Sequence, residues 1–291
     1  MDELGGKVAV VTGGASGIGY AMASAFRREG MSVALGDIEE VALADAVERL
    51  GAEAGDGDVI GVATDVSDLA SVQALRDEAV EALGGVHVVC NNAGVAAGGL
   101  LWETTARDWE WILGVNLMGV VHGIQTFVPG FVEQGEGYVV NTASMAGVTS
   151  PPFMGPYNAT KHAVVTISET LYAELQLMTG GAVGVSVLCP GWVKTQIHQS
   201  QRNRPAELED DAPNAFADGE DGGASSVLAG LIEGGLDPDD VARLVLDGIV
   251  EDRFYLFTHD EWTPMVERRA SAVVAGENPW VGPPPGVTAD D

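Results

Sequence analysis

The sequence has only three lysines, Lys7, Lys161 and Lys194, among 291 residues. Lysine and arginine together number 14 against 43 aspartates and glutamates, a formal net charge of −29. Such a surface repels phosphate backbones and anionic lipid headgroups, so neither nucleic acid nor a membrane is an expected partner. Cysteine is scarce too, and Cys90 and Cys189 each close an apolar, strand-like run. That position predicts buried free thiols in a reducing cytoplasm rather than a disulfide framework. The five histidines show no spacing such as H-E-x-x-H, so no metal is expected. The absence of a G-x-S-x-G elbow argues against a serine hydrolase. No apolar run approaches membrane-spanning length, the start M-D-E-L-G-G-K has no signal-peptide pattern, and no internal repeat occurs.

What is abundant is glycine, with 39 residues, in a chain that is 46% hydrophobic. The composition suits one large α/β domain over residues 1–291. Residues 7–11 read as a strand leading into T-G-G-A-S-G-I-G at 12–19, and a helical pattern follows to residue 29. Strand, glycine-rich turn and helix form the context of a dinucleotide fingerprint. Gly13 permits the tight turn, Gly17 removes a side chain where backbone must approach a pyrophosphate, and Gly19 lets helix and strand pack closely. The helix N-terminus then faces the phosphates. The spacing here is G-x-x-x-G-x-G rather than G-x-G-x-x-G.

A second strand over 31–36 ends at Asp37, 18 residues past Gly19, near the spacing of a ribose-binding carboxylate. The same aspartate also suits an N-terminal cap for helix 39–50. A third strand, 59–63, is closed by Asp65 and Val66; the acid faces either an adenine amino group or its own turn. Asp68 caps a helix running to residue 83. The fourth strand, 86–90, leads into N-N-A-G at 91–94, which either admits a ligand to the backbone or makes an asparagine-bonded loop. A long helical region over 105–133, bent or straight, carries Asn116 among apolar residues. A polar side chain there must be bonded, as a backbone tie or as a polar relay beside a site.

The fifth strand, 138–142, delivers Ser144, and the sixth, 183–189, leads into P-G-W-V-K-T at 190–195. A helix over 239–251 precedes a seventh strand at 254–258. Strands alternating with helices predict a doubly wound parallel sheet of about seven strands with helices on both faces. Ligands bind such sheets at the C-terminal ends of the strands, where the candidate residues gather. Residues 196–235 interrupt the alternation with an acidic, glycine-containing insert, read as a lid, a disordered segment or both. The proline-rich tail, 276–291, is expected to be extended.

The chemistry concentrates between Ser144 and Lys161. Tyr157 and Lys161 stand four residues apart, on one face of a helix marked by Ala159, Ala163, Val164, Ile167, Leu171 and Leu175. Pro156 suits its first turn, and Gly180 and Gly181 its stop. A neighbouring ammonium favours phenolate, moving a tyrosine from its ordinary pKa of about 10 toward useful proton transfer. Ser144, thirteen residues before Tyr157, can offer its hydroxyl to the same substrate atom.

Taken together, these motifs resemble the short-chain dehydrogenase/reductase family. T-G-x-x-x-G-x-G stands at 12–19, N-N-A-G at 91–94, the helix asparagine at Asn116, the serine at Ser144, Y-x-x-x-K at 157–161 and P-G-x-V-x-T at 190–195. The resemblance covers residues 5–195, and the acidic insert, the tail and the scarcity of lysine depart from it. It implies a Rossmann fold and NAD(P)-dependent interconversion of an alcohol and a carbonyl. Tyr157 would be the acid/base, Lys161 would lower its pKa and bind the nicotinamide ribose, Ser144 would hold the substrate oxygen, and Asn116 would hold a relaying water. Gly13, Ser16, Gly17, Ile18, Gly19, Asp37, Asp65, Val66, Asn92, Ala93, Gly94, Pro190, Gly191, Val193 and Thr195 would line the cofactor. A homodimer or homotetramer is implied, pairing the helices at 105–133 and 157–178.

Asp37 favours NAD over NADP, since a 2′-phosphate would meet its carboxylate. The positions where an NADP enzyme of the family carries a basic residue are Ser16 and Ile38, and Arg27 and Arg28 fall at the far end of the helix. The alternative reading, a non-catalytic redox sensor, predicts loss of an acid/base residue, and none is missing. Met145, Phe153, Met154, Trp192 and Trp102 suggest an apolar pocket. With an acidic lid, that favours a hydrophobic, neutral secondary alcohol or its ketone as the small-molecule substrate.

Overall fold

The strands of this chain are runs of valine, alanine and leucine buried on both faces, the mark of a parallel sheet covered on two sides. The computed structural model describes residues 1, 3–53, 55–209 and 224–282. Seven strands form one sheet: β1 (Val8–Thr12), β2 (Ser32–Asp37), β3 (Val59–Ala63), β4 (Val88–Asn91), β5 (Gly137–Thr142), β6 (Val183–Cys189) and β7 (Tyr255–Phe257). Their order is β3-β2-β1-β4-β5-β6-β7, and every pairing is parallel. The order reverses between β1 and β4, which opens a crevice at their C-terminal ends.

One face of the sheet carries α1 (Gly17–Arg28), α2 (Glu40–Ala52) and α8 (Pro238–Val250), whose Met22, Phe26, Leu50 and Val245 pack on Ala9, Val11 and Leu35. The other face carries α3 (Leu69–Leu83), α5 (Gly119–Gln134) and α6 (Gly155–Thr179), with Leu75, Phe127, Phe131 and Leu175 against Val10, Val89 and Val139. Successive residues of β1 therefore serve opposite cores, as a strand's alternation requires. Fully burying a side chain of this size contributes about 1.5–3 kcal/mol, so the two cores dominate the stability.

The strand and helix expectations hold, with ends displaced by one or two residues. Asp68 accepts from the Ala70 amide at 2.9 Å as the cap of α3. Gly180, at φ 65°, closes α6 in the left-handed conformation that glycine adopts without strain. The long helical region is bent: α4 (Ala106–Ile112) passes through a π-helical turn, Leu113–Met118, into α5. By length and composition Ala106–Gln134 could cross a membrane, but half of its apolar window is buried against the body, as in the core helix of a folded domain.

Two helices had no sequence reading. These are α7 (Ala224–Glu233), which sits inside the expected insert, and α9 (Thr263–Ala275), which precedes the tail. None of the residues of α9 is buried, so no buried apolar stripe announces it. The acidic run 210–223 and the tail beyond 282 lie outside the described residues.

Candidate active site

Above the C-terminal ends of the strands lies one cavity of about 1250 Å³. Of the predicted cofactor residues, Gly13, Ser16, Gly17, Ile18, Asp37, Asp65, Val66, Asn92, Ala93, Gly94, Pro190, Gly191, Val193 and Thr195 line it, together with Ser144, Tyr157 and Lys161. Gly19 and Asn116 do not. Gly19 lies beneath the glycine turn, where a Cβ would stand 2.0 Å from the Gly13 carbonyl oxygen and 2.7 Å from Asn92 Nδ2. Its role is to let α1 approach β1 and β4. Gly13 holds φ 63°, where a Cβ would stand 2.8 Å from the Ala93 Cα, and Gly17 holds φ 52°, where a Cβ would stand 3.0 Å from the Thr195 methyl. The turn is thus a bare cradle at the start of α1, fitted to a pyrophosphate on the helix N-terminus.

Thr12 and Asn92 brace this cradle. The Thr12 hydroxyl accepts from the amides of Asn92 (2.9 Å) and Ala93 (3.1 Å), and Asn92 Nδ2 donates to the Thr12 carbonyl at 3.1 Å. Thr142 donates to Asn92 Oδ1 at 3.3 Å, tying β5 into the same brace. Asp37 accepts from the Ala15 amide at 3.0 Å and the Glu39 amide at 3.1 Å. Asp37 lines the cavity but is not the cap of α2: the N-cap is Glu39, which has no side-chain cap bond, and Asp37 holds only the Glu39 amide ahead of the helix. Asp65 likewise lines the cavity while accepting from the Ser67 amide (2.9 Å) and hydroxyl (2.7 Å).

Ser144 follows β5, accepts from the Ala146 amide at 3.1 Å and donates to the Pro190 carbonyl at 3.3 Å. Tyr157 is buried in the first turns of α6, and Lys161 lies one turn on. The Lys161 Nζ stands 5.5 Å from the Tyr157 ring centre and donates to the Thr142 carbonyl at 2.9 Å. Here the electrostatics correct the expectation. Burial raises the Tyr157 pKa, and the Ser144 hydrogen bond lowers it only in part. Burial also lowers Lys161 to about 8, so its own ammonium is weakly held. Desolvation is the largest cause of the Tyr157 shift, and Lys161 is not among its causes.

A pH signature follows for Lys161. Its pKa is depressed from 10.5 to about 8 in the fold. Between those values the unfolded chain binds the extra proton, so folding strengthens as pH rises, by up to about 1.4 kcal/mol per pH unit. Thermal unfolding of the cofactor-free protein should show wild type gaining on Lys161→Met from about pH 8 upward. Parallel pH curves for the two proteins would refute this.

Asn116, fully buried in the π turn, donates from Nδ2 to the Val95 carbonyl (2.9 Å) and accepts at Oδ1 from the Val95 amide (2.8 Å). It also reaches the Thr160 hydroxyl at 3.4 Å. The side chain therefore ties the loop after β4 to α6, which is the backbone tie of the two sequence readings. π turns interrupt helices at functional sites by freeing main-chain groups, so a water relay at Asn116 would use its backbone.

Phe153, Met154, Met145 and Trp192 line the cavity as expected, and Phe153 does so at φ 65°, a strained setting for a bulky residue. Trp102 does not; its turn carries it outward to 79% exposure. The segment after Thr195, expected as part of a lid, contributes to the wall: Gln196, Ile197, His198, Ser200, Arg202 and Asn203 line the cavity. Residues 196–209 cross the cavity mouth. The Ala96 amide donates to the Ser200 hydroxyl at 3.1 Å, Arg202 pairs with Glu39 at 2.7 Å, and Arg204 makes a buried ion pair with Asp108 at 2.7 Å. Among the described residues no cluster of histidine, cysteine, aspartate or glutamate could hold a metal. Cys90 and Cys189 are free and buried.

The sequence model of the short chain dehydrogenase family matches residues 7–206. This chain belongs to the short chain dehydrogenase family. It is 32% identical over 289 residues to a CLA biosynthesis dehydrogenase/reductase of Lactiplantibacillus plantarum, covering 96% of this chain and 97% of that protein. It is 36% identical over 260 residues to the 1-deoxy-11-beta-hydroxypentalenate dehydrogenase of Streptomyces exfoliatus, covering 88% and 84%. A crystal structure of a short chain dehydrogenase/reductase from Burkholderia phymatum in complex with NAD superposes with a TM-score of 0.92. That pair shares 46% identity over 98% of this chain and 100% of the other. The chain is therefore an oxidoreductase of this family, built on the expected Rossmann sheet.

Proposed function

We propose that this chain is an NAD-dependent dehydrogenase that interconverts a secondary alcohol with a largely apolar body and its ketone. The observation that carries this reading is the convergence of Ser144, Tyr157 and Lys161 on a cavity that also contains the glycine cradle and Asp37. The relative from Burkholderia phymatum in complex with NAD supports the choice of cofactor. Bound NAD supplies a nicotinamide ring that takes the hydride from the carbinol carbon. Gly13, Gly17 and the start of α1 would hold the pyrophosphate, Asp37 the adenosine ribose, and Pro190, Gly191, Val193 and Thr195 the nicotinamide end.

Each remaining step belongs to the chain's own groups. The Ser144 hydroxyl bonds the substrate oxygen and fixes it beside Tyr157. Ionised Tyr157 accepts the hydroxyl proton as the carbonyl forms, and returns it in the reverse direction. Lys161, held on the Thr142 carbonyl, reaches the nicotinamide ribose and presents positive charge to the phenolate. Asn116 is a positioning residue that keeps the loop after β4 against α6. Residues 196–209 act as a cover over the dinucleotide.

The direct test is NAD⁺ reduction, followed by NADH absorbance, over a panel of hydrophobic secondary alcohols with purified protein. Absence of both NAD binding and NAD⁺ reduction across the panel would overturn the reading. We further propose a cytoplasmic homo-oligomer that pairs α5 and α6, where Val132, Leu177 and Met178 are exposed. Like-charge repulsion at −29 opposes association. Light scattering should therefore show assembly tightening with salt, and a monomer at both low and high salt would contradict the proposal.

A further inference from the structure

We infer that Arg268 and Arg269 form an anion-binding rim on the substrate side of the cavity, selecting substrates whose apolar body ends in a carboxylate remote from the carbinol. The inference deepens the dehydrogenase reading of this cavity and rests on it. It departs from the neutral substrate that the acidic composition suggests.

The first observation is position. α9 begins beside Trp262, which packs in one cluster with Met145, the residue after Ser144, and meets Trp192 edge-on at 5.6 Å. The start of α9 is thus fixed to the substrate side. Met265, Arg268, Arg269 and Ala272 line the cavity at the i, i+3, i+4, i+7 spacing of one helical face. Arg268 lies six residues past Trp262, about 9 Å along a helix axis. Met265 is the residue between them that lines the cavity, so an apolar side chain separates the arginines from Trp262.

The second observation is that these charges have no carboxylate partner among the described residues. Six other arginines (Arg28, Arg76, Arg202, Arg204, Arg243 and Arg253) pair with carboxylates. Arg27 is spent on four backbone carbonyls, Arg107 on the Glu209 carbonyl, and Arg49 lies over the Tyr20 ring, where its charge acts on Glu53. Arg268 and Arg269 make no ion pair or hydrogen bond with any described residue. In a chain with 43 acids, two adjacent arginines without a carboxylate form an unusual positive spot. Glu277 also lines this rim, but it bridges to neither arginine.

The third observation is preorganisation. The Arg268 guanidinium lies over the Trp280 ring, 4.8 Å from its centre. Stacking holds the planar fork without using its hydrogen-bond donors, which stay free for a carboxylate.

The test is binding to the NADH-loaded enzyme, which needs no turnover and so survives failure of the secondary-alcohol reading. Octanoate and octanol serve as probes, titrated by calorimetry or by the fluorescence of bound NADH. Octanoate should bind about tenfold tighter than octanol at low salt, with the advantage shrinking as salt rises. Arg268→Gln with Arg269→Gln should erase the advantage and leave octanol and NADH affinities unchanged. The double lysine variant should restore part of it. α9 buries none of its residues, so these variants keep the fold. Equal binding of the two probes to wild type, or equal loss of both in the glutamine variant, would overturn the inference.

Discussion

Replacing Tyr157 by Phe is expected to lower turnover by roughly 10²–10⁴-fold or more while leaving NAD affinity nearly unchanged. The substitution removes one buried hydroxyl whose partner is Ser144 and leaves the ring in place beside Lys161. Nothing in the glycine cradle or at Asp37 is touched. Wild-type alcohol oxidation should rise with pH, because burial pushes the phenol up and makes the ionised form scarce near neutrality. Steady-state kinetics across pH, paired with NADH titration, check both statements. Substantial turnover by a folded Phe variant would remove Tyr157 from the mechanism.

The second large effect concerns the cofactor. Wild type should favour NAD over NADP by on the order of a hundredfold or more in kcat/KM. A 2′-phosphate beside Asp37 places like charges together at a cost of about 4 kcal/mol at 4 Å in a surface-like dielectric, reduced by Asp37's partial exposure. The sequence reading found no cation nearby to offset this. The structure brings Arg202 there, but Glu39 takes it at 2.7 Å, and Asn203 bonds the same carboxylate at 2.9 Å. Asp37→Ala should therefore relax the preference only in part, since Glu39 remains. Arg202→Ala should speed NADH release by loosening the cover. Equal or better efficiency of wild type with NADP would overturn the role of Asp37.

The sequence by itself determined the Rossmann alternation, because period-two and period-3.6 apolar patterns and glycine stops are local signals. It also located most of the cavity wall, since a parallel sheet delivers every strand's C-terminal residues to one edge. Ser144 and Asp37 were legible for that reason, and Tyr157 and Lys161 from their helical spacing. What only the tertiary structure decided lies in contacts between segments far apart in the chain. Arg202 meets Glu39 across 163 residues, and Arg204 meets Asp108 across 96. No spacing rule foretells such pairs, and the apolar stripe that would announce α9 is missing because that helix buries none of its residues. The sign of the Tyr157 shift was equally out of reach. Helical spacing reveals a neighbouring ammonium, but desolvation depends on how completely the fold closes over both groups, and here burial is the largest cause of both shifts.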